Sequence, residues 1–209
     1  MTYVSFCPLM YSKILTFDKY FLLNQKTNLM LKKILIGVGI LVLAFIGVFI
    51  YGIVNPKSPA KTTVYGYNGL DIKVVYGQPS KRGRLIFGEE KDGALQPYGK
   101  YWRLGANAAT EITFSKNVLF VGKPIDAGTY RMYAVPGAEN FQISLNSEVG
   151  VFFGVNEPDY SKDVIKVILP VEKAPETEVF TVTFENDSTM MKMNLIWDTT
   201  KITVPIQVQ

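Results

Sequence analysis

Histidine is missing from all 209 residues, and cysteine occurs once, at Cys7. The first absence removes Ser-His-Asp and Cys-His nucleophile systems, the usual imidazole base and the commonest transition-metal ligand. The second removes disulfides and cysteine-type zinc sites from everything after residue 7. It also excludes a lipoprotein anchor, because no cysteine follows the apolar segment described below. Nucleophile-elbow, Walker A and helix-coupled GxGxxG patterns are absent as well. Chemistry here would have to come from carboxylates, lysine, tyrosine, serine or threonine. No catalytic residue, metal site or cofactor is expected.

The long uncharged run is the first positive feature. Residues 34–54 contain no charged side chain and follow directly on Lys32-Lys33. About 21 residues at a helical rise of ~1.5 Å span ~31 Å, which matches a hydrocarbon core of about 30 Å. Their Leu, Ile, Val and Phe side chains favour insertion by about 5 to 9 kcal/mol. The formal charge of +4 lies on one side of this run. Five of the 22 basic residues and one of the 18 acidic residues precede Asn55, leaving 17 of each in the remainder. That asymmetry predicts a cytoplasmic amino terminus and an extracytoplasmic carboxy-terminal domain, a single-pass protein of the cell membrane. A nucleic-acid partner would need a basic face and is not expected.

A cleaved signal peptide shares the basic start and apolar stretch, but signal cores are shorter and end at a small-x-small site. Here the run exits through Gly52-Ile53-Val54-Asn55-Pro56, and Ser58-Pro59-Ala60 is a weak cleavage candidate. The uncleaved anchor is therefore the expectation. Residues 1–29 show no sustained periodicity and read as a cytoplasmic segment or an extension produced at the start site, since Met30-Leu31-Lys32-Lys33 is itself a normal beginning for an anchor. The division is 1–29, an anchor at 30–54, a stiff spacer at 55–61 and a domain at 62–209.

That domain has room for one substantial core. Short β-branched and aromatic runs recur between turn residues. Phe180, Val182 and Phe184 alternate with Thr181, Thr183 and Glu185, and Met191, Met193, Leu195 and Trp197 repeat the pattern after Asn186-Asp187-Ser188, predicting a hairpin. Further strands are expected at 62–67, 72–76, 112–115, 118–121, 129–135, 141–145, 164–169 and 202–207. The fold class is all-β, an antiparallel β-sandwich of jelly-roll or Ig-like style, preceded by one N-terminal transmembrane helix. The run Pro124 to Tyr130 predicts a tyrosine hydroxyl bonded to backbone at a sheet corner. Pro205 predicts an edge strand.

Between Gly83 and Phe114 the alternation gives way to Gly83-Arg84-Leu85-Ile86-Phe87-Gly88 and Trp102-Arg103-Leu104-Gly105-Ala106-Asn107-Ala108-Ala109-Thr110. With Gly77-Gln78-Pro79-Ser80, the Ala127-Gly128-Thr129-Tyr130 turn and Trp197-Asp198, these blocks resemble the bacterial family catalogued as domain of unknown function 2911, from about Ser58 to the carboxyl end. The resemblance implies an exported all-β domain and no established activity.

Arg84 and Arg103 near Asn107, Thr110 and Glu111 are the candidate ligand contacts. A guanidinium fork suits carboxylate or phosphate, and Asn and Thr add neutral hydrogen bonds. The structural alternative has Trp102 filling the core, Gly105 and Asn107 making a tight turn and Arg103 neutralised by Glu111 or another acid. Tyr65, Tyr67, Tyr76, Tyr98, Tyr101 and Tyr133 are a second candidate surface, a stacking platform for a glycan, against ordinary half-buried packing. The functional expectation is a membrane-anchored module that binds a glycan or small anion, or serves as a scaffold, at the cell envelope. The rival is a histidine-free glycan hydrolase using two carboxylates drawn from Asp71, Glu111, Asp126, Asp163 and Asp198.

Overall fold

The computed structural model describes residues 8–54, 57–151, 154–187 and 190–209, with side chains from Met30 onward, Ile53 excepted. The expectations for Cys7, for Asn55 and Pro56 of the spacer and for Ser188 of the turn lie outside the described residues. Two compact units make up the chain, Met1–Pro56 and Lys57–Gln209. The first is helix α1, Pro8–Val54, which is continuous through the stretch where the sequence lacks a helical period. Within it Met30–Gly52 has a mean hydropathy of 2.9, and none of the span is buried.

The second unit is the expected antiparallel sandwich. Its six-stranded sheet runs in the order β1 (Ala60–Tyr67), β2 (Leu70–Gly77), β5 (Thr110–Phe114), β8 (Gly128–Val135), β9 (Asn140–Asn146) and β10 (Asp163–Pro170). The four-stranded sheet runs β11 (Glu172–Asn186), β12 (Met191–Val208), β6 (Val118–Phe120) and β7 (Lys123–Ile125). A small parallel pair, β3 (Phe87–Gly88) with β4 (Gln96–Pro97), completes it. Period-2 alternation decides which face each strand buries. On β2, Leu70, Ile72, Val74 and Tyr76 point inward while Asp71 and Lys73 are exposed; on β12, Met193, Leu195 and Trp197 meet them from the opposite sheet.

β1 and β2 are joined by Asn68-Gly69, with φ of 51° and 72°, the left-handed pair that a two-residue hairpin turn requires. Strand β12 is itself folded back. The Thr203 hydroxyl lies 3.0 Å from Asn194 Oδ1, although nine extended residues would separate them by about 30 Å. The reversal falls near Asp198, whose φ is 55°, so the separately expected strands at 191–197 and 202–207 are two arms of one hairpin. Ile206, Gln207 and Val208 pair with Phe120, Leu119 and Val118.

Pro205 therefore lies in an interior strand, which corrects the edge expectation. Its carbonyl accepts from Val121 N at 2.9 Å, and Val121 (φ 52°) already belongs to the turn into β7, so the missing proline N–H leaves no regular ladder partner waiting. The tyrosine corner is present, with the Tyr130 hydroxyl donating to Asp126 O at 3.0 Å. At the β1 edge the sheets are tied by side chains: Tyr65 stacks on Phe184 at 5.2 Å, and Val182 N donates to the Tyr76 hydroxyl at 3.1 Å.

Beyond β2 the chain leaves the six-stranded sheet. Phe180 N donates to Pro79 O at 2.9 Å and Lys81 N to Glu178 O at 2.6 Å, so residues 79–81 pair against β11 of the other sheet. The departure happens at Gly77, where an added methyl would stand 1.9 Å from the Ala106 carbonyl oxygen. Gly77→Ala is therefore expected to cost about 3 kcal/mol through backbone displacement, lowering the melting temperature by roughly 6 to 12 °C. Gly83→Ala, at φ 67° with open space around it, should cost only about 1 kcal/mol. Thermal unfolding of the two variants checks the ranking, and equal losses would show that the 77–106 contact yields.

Candidate functional site

Trp102 exchanges two 2.8 Å backbone hydrogen bonds with Ala134, placing it beside β8 beyond the last β5–β8 pair. Residues 103–109 are an excursion between Trp102 and Thr110, built on left-handed backbone at Leu104 (φ 53°) and Asn107 (φ 64°). The buried Thr110 hydroxyl closes its base by donating to Leu104 O at 2.7 Å. Gly154 N donates to Asn107 O at 3.0 Å, and a methyl on Gly154 would stand 2.9 Å from the Ala109 backbone. The small residues of the motif are thus places where backbone meets backbone.

The expected site residues divide accordingly. Arg103 Nη1 donates to Asn107 O at 3.1 Å, and Asn107 Nδ2 donates to Ser58 O at 2.9 Å. Glu111 Oε1 accepts from Gly150 N at 2.6 Å, so it does not neutralise Arg103; no carboxylate pairs with Arg103 among the described residues. Arg84 sits on a separate turn, with Nε donating to Lys81 O at 2.9 Å and Nη2 to Ser80 O at 2.6 Å. Asn107 and Arg103 are thus hydrogen-bonded neighbours, Thr110 and Glu111 root the excursion in the fold, and Arg84 belongs to the neighbouring 80–84 turn. Beside that turn Lys81 Nζ bonds Asp198 at 2.7 Å and Glu176 at 2.6 Å, and these two carboxylates hold its pKa well above the ordinary lysine range. Trp197-Asp198 is in this way tied to Pro79–Lys81.

Trp102 does plug the core. It stacks on Trp197 at 5.8 Å and meets Phe180 and Phe87 edge-on at 5.1 and 5.3 Å. A void lined by Trp102, Phe180 and Trp197 holds about 10 Å³, near the lower limit for a single water, while the buried Trp102 Nε1 has no partner among the described residues. A hollow lined by Ala60, Tyr76, Gly77 and Ala106 to Ala109 holds about 70 Å³, and another near Tyr67 and Met191 about 150 Å³. Small-molecule sites run to about 300 Å³ or more, so neither encloses a sugar. Tyr76 and Tyr133 are buried, and Tyr65 and Tyr67 pack against the core; these rings do not form an exposed platform.

One polar cluster joins Tyr101, Tyr133 and Asp163, each expected in another role, to Arg131, which the sequence did not single out. Arg131 points to the outer face of the six-stranded sheet yet is 2% exposed. Its Nη1 donates to Glu148 Oε2 at 2.9 Å, and its Nη2 donates to the Tyr101 hydroxyl at 2.6 Å and to Asn156 O at 2.7 Å; Nε has no partner among the described residues. Next to it the Tyr133 hydroxyl donates to Asp163 Oδ2 at 2.7 Å and Asn146 Nδ2 to Asp163 Oδ1 at 2.7 Å. These bonds fasten the β9–β10 connection over the sheet. Alternation assigns Arg131, Tyr133 and Asn146 to a solvent face; no sequence signal announces the segment that covers them.

The cluster makes two predictions. Removing Glu148 strands a buried guanidinium, whereas removing Arg131 leaves a carboxylate whose side chain is 33% exposed and able to rehydrate. Glu148→Ala should thus cost about 3 kcal/mol and Arg131→Met clearly less, an order that denaturant unfolding reads directly. Burial first, then the bond to Asp163, pushes the Tyr133 hydroxyl above the tyrosine range; burial and the bond to Glu157 push Tyr160 up to about 12. A raised folded-state pKa contributes stability that is complete below the unfolded value near pH 10 and is lost as pH climbs through the folded value. Tyrosinate absorbance should show these two lagging the exposed tyrosines until the protein unfolds.

No curated protein and no solved structure matches the chain. Residues 58–206, most of the sandwich unit, match the family described as Protein of unknown function (DUF2911), the same family that the Gly-Arg and Trp-Arg blocks resemble. The chain belongs to that family.

Proposed function

We propose that this is a single-pass membrane-anchored protein whose sandwich stands on the extracytoplasmic side and acts as a binding or scaffolding module at the cell envelope. The observation that carries the reading is the Met30–Gly52 span: Leu35, Leu41, Phe45 and Val48 are 69 to 73% exposed, an apolar surface that water would not tolerate over the length of a bilayer. Lys32 and Lys33 before it and the charge-balanced remainder after it support the orientation. The binding surface we assign is the one centred on Arg84, Arg103 and Asn107. Their hydrogen bonds to carbonyls leave most of the guanidinium N–H groups available, and Thr110 and Glu111 hold the loop behind them.

The hydrolase alternative finds less support. Asp163 takes hydrogen bonds from Tyr133 and Asn146 and pairs with Lys166 at 2.8 Å; Asp198 is bound to Lys81; Glu111 caps Gly150. A carboxylic general acid needs a raised pKa, whereas two carboxylates among the described residues, Asp159 and Glu172, are pushed down by the Ser161 and Lys201 hydrogen bonds respectively.

Fractionation of producing cells should leave the full chain in the membrane pellet after alkaline carbonate extraction, with the sandwich digested by protease added from outside. A soluble mature species whose mass lacks residues 30–54 would replace the anchor by a cleaved signal.

A further inference from the structure

Unpaired positive charge gathers around the point where the chain enters the sandwich. Arg82 Nη2 donates to Lys57 O at 3.3 Å, Asn107 Nδ2 to Ser58 O at 2.9 Å and Gln78 N to Pro59 O at 2.8 Å. Three consecutive carbonyls of the entering chain are therefore clamped to the domain. Around the clamp stand Lys57, Lys61, Arg82, Arg84 and Arg103, none of them ion-paired among the described residues, and all but the half-buried Arg103 exposed. Counting Lys81 with its partners Glu176 and Asp198, and Glu178, which accepts from Arg82 N, the cluster holds three net positive charges. The domain after Asn55 is neutral overall, so the rest of the sandwich carries the balancing negative charge.

Covalent geometry limits how far this pole can stand from the anchor. Helix α1 ends at Val54, and three Cα steps of about 3.8 Å bring Lys57 within about 11 Å of it. That distance is comparable to the Debye length of about 8 Å at physiological ionic strength, and the headgroup layer extends beyond the hydrocarbon core toward the domain.

We infer that Lys57, Lys61, Arg82, Arg84 and Arg103 form a docking surface for anionic phospholipid headgroups of the bilayer in which α1 is anchored, so that the sandwich lies on the membrane in one orientation. This rests on the anchored reading above and names the partner of its binding surface. Guanidinium forks donating to phosphate diesters match the free N–H groups of Arg82, Arg84 and Arg103, and lysines near a charged surface add to the attraction.

The test uses the full chain in lipid nanodiscs, with phosphatidylcholine alone or mixed equally with phosphatidylglycerol, and reads backbone hydrogen exchange. Peptides covering residues 57–62, 80–86 and 103–109 should exchange about fivefold or more slowly with the anionic lipid, while the peptide covering 163–170 is unchanged. The slowing should vanish in about 1 M salt, where the Debye length is about 3 Å, and in the combined Arg82→Gln, Arg84→Gln and Arg103→Gln variant. Equal exchange in both lipids, with the protein inserted in both discs, overturns the docking surface and leaves the anchor standing. Failure of the chain to enter either disc overturns the anchor and the docking surface together. Slowing that survives both salt and the arginine replacements overturns the electrostatic contact even with insertion intact.

Discussion

The contact of Gly77 with the Ala106 carbonyl is the constraint from which the shape of this domain follows. Because no side chain stands at Gly77, the excursion at 103–109 can rest directly on the end of β2. That placement lets Trp102 keep its backbone bonds to Ala134 and turn its indole inward. The same glycine releases the chain toward the opposite sheet, where Pro79 and Lys81 pair with Phe180 and Glu178. Trp102, Phe180 and Trp197, from three separate segments, then meet in one aromatic cluster. Each aromatic contact is worth on the order of 1 kcal/mol beyond its burial, but all of them presuppose the backbone approach that brings their segments together. Motif residues that invite a reading as a ligand loop are, at this level, the means by which two sheets share a core.

How much of this was legible in the sequence depends on whether a segment buries one face. β2, β9 and β10 alternate cleanly because each covers the interior with every second side chain, and their positions were readable to within a few residues. The first half of β11, Glu172 to Val179, buries no side chain completely and carries two register shifts and Pro175, so its alternation was lost. β3, β4 and β7 are two or three residues long, below any window in which a period exists. Pro205 misled because a missing N–H matters only where a ladder continues, and the partner strand turns away at Val121-Gly122. The site divides in the same way. Arg84, Arg103 and Asn107 stood out because they interrupt the strand pattern, whereas Arg131 obeys it and was hidden by that regularity.

The two sets of arginines show how surroundings convert one chemistry into different roles. Arg131 is removed from water, so its charge must be met inside the protein, and Glu148, Tyr101 and Asn156 meet most of it. A guanidinium so enclosed fixes a loop and has little left to offer a ligand. Arg82 and Arg84 remain hydrated, bind carbonyls with part of their donor set and have no carboxylate partner among the described residues. They retain both charge and direction, which is the condition for recognising an external anion.

Without imidazole, the chain lacks the side chain whose ordinary pKa lies closest to neutrality, and its surface charge is carried by carboxylates, lysines and arginines. A fixed dipolar body attached by a short, clamped entry to an apolar helix behaves differently from a free neutral domain. On the docking proposed above, its positive pole would meet anionic headgroups, and the balancing negative charge on the rest of the sandwich would be left to solvent. Trp102, Phe180 and Trp197 fill the interior, and Asp163, Asp198 and Glu111 are bound to their neighbours, so these groups serve to hold the sandwich together. On that proposal the body presents one outer face in one orientation, and the charge gathered around residues 57 to 61 supplies the torque that sets it.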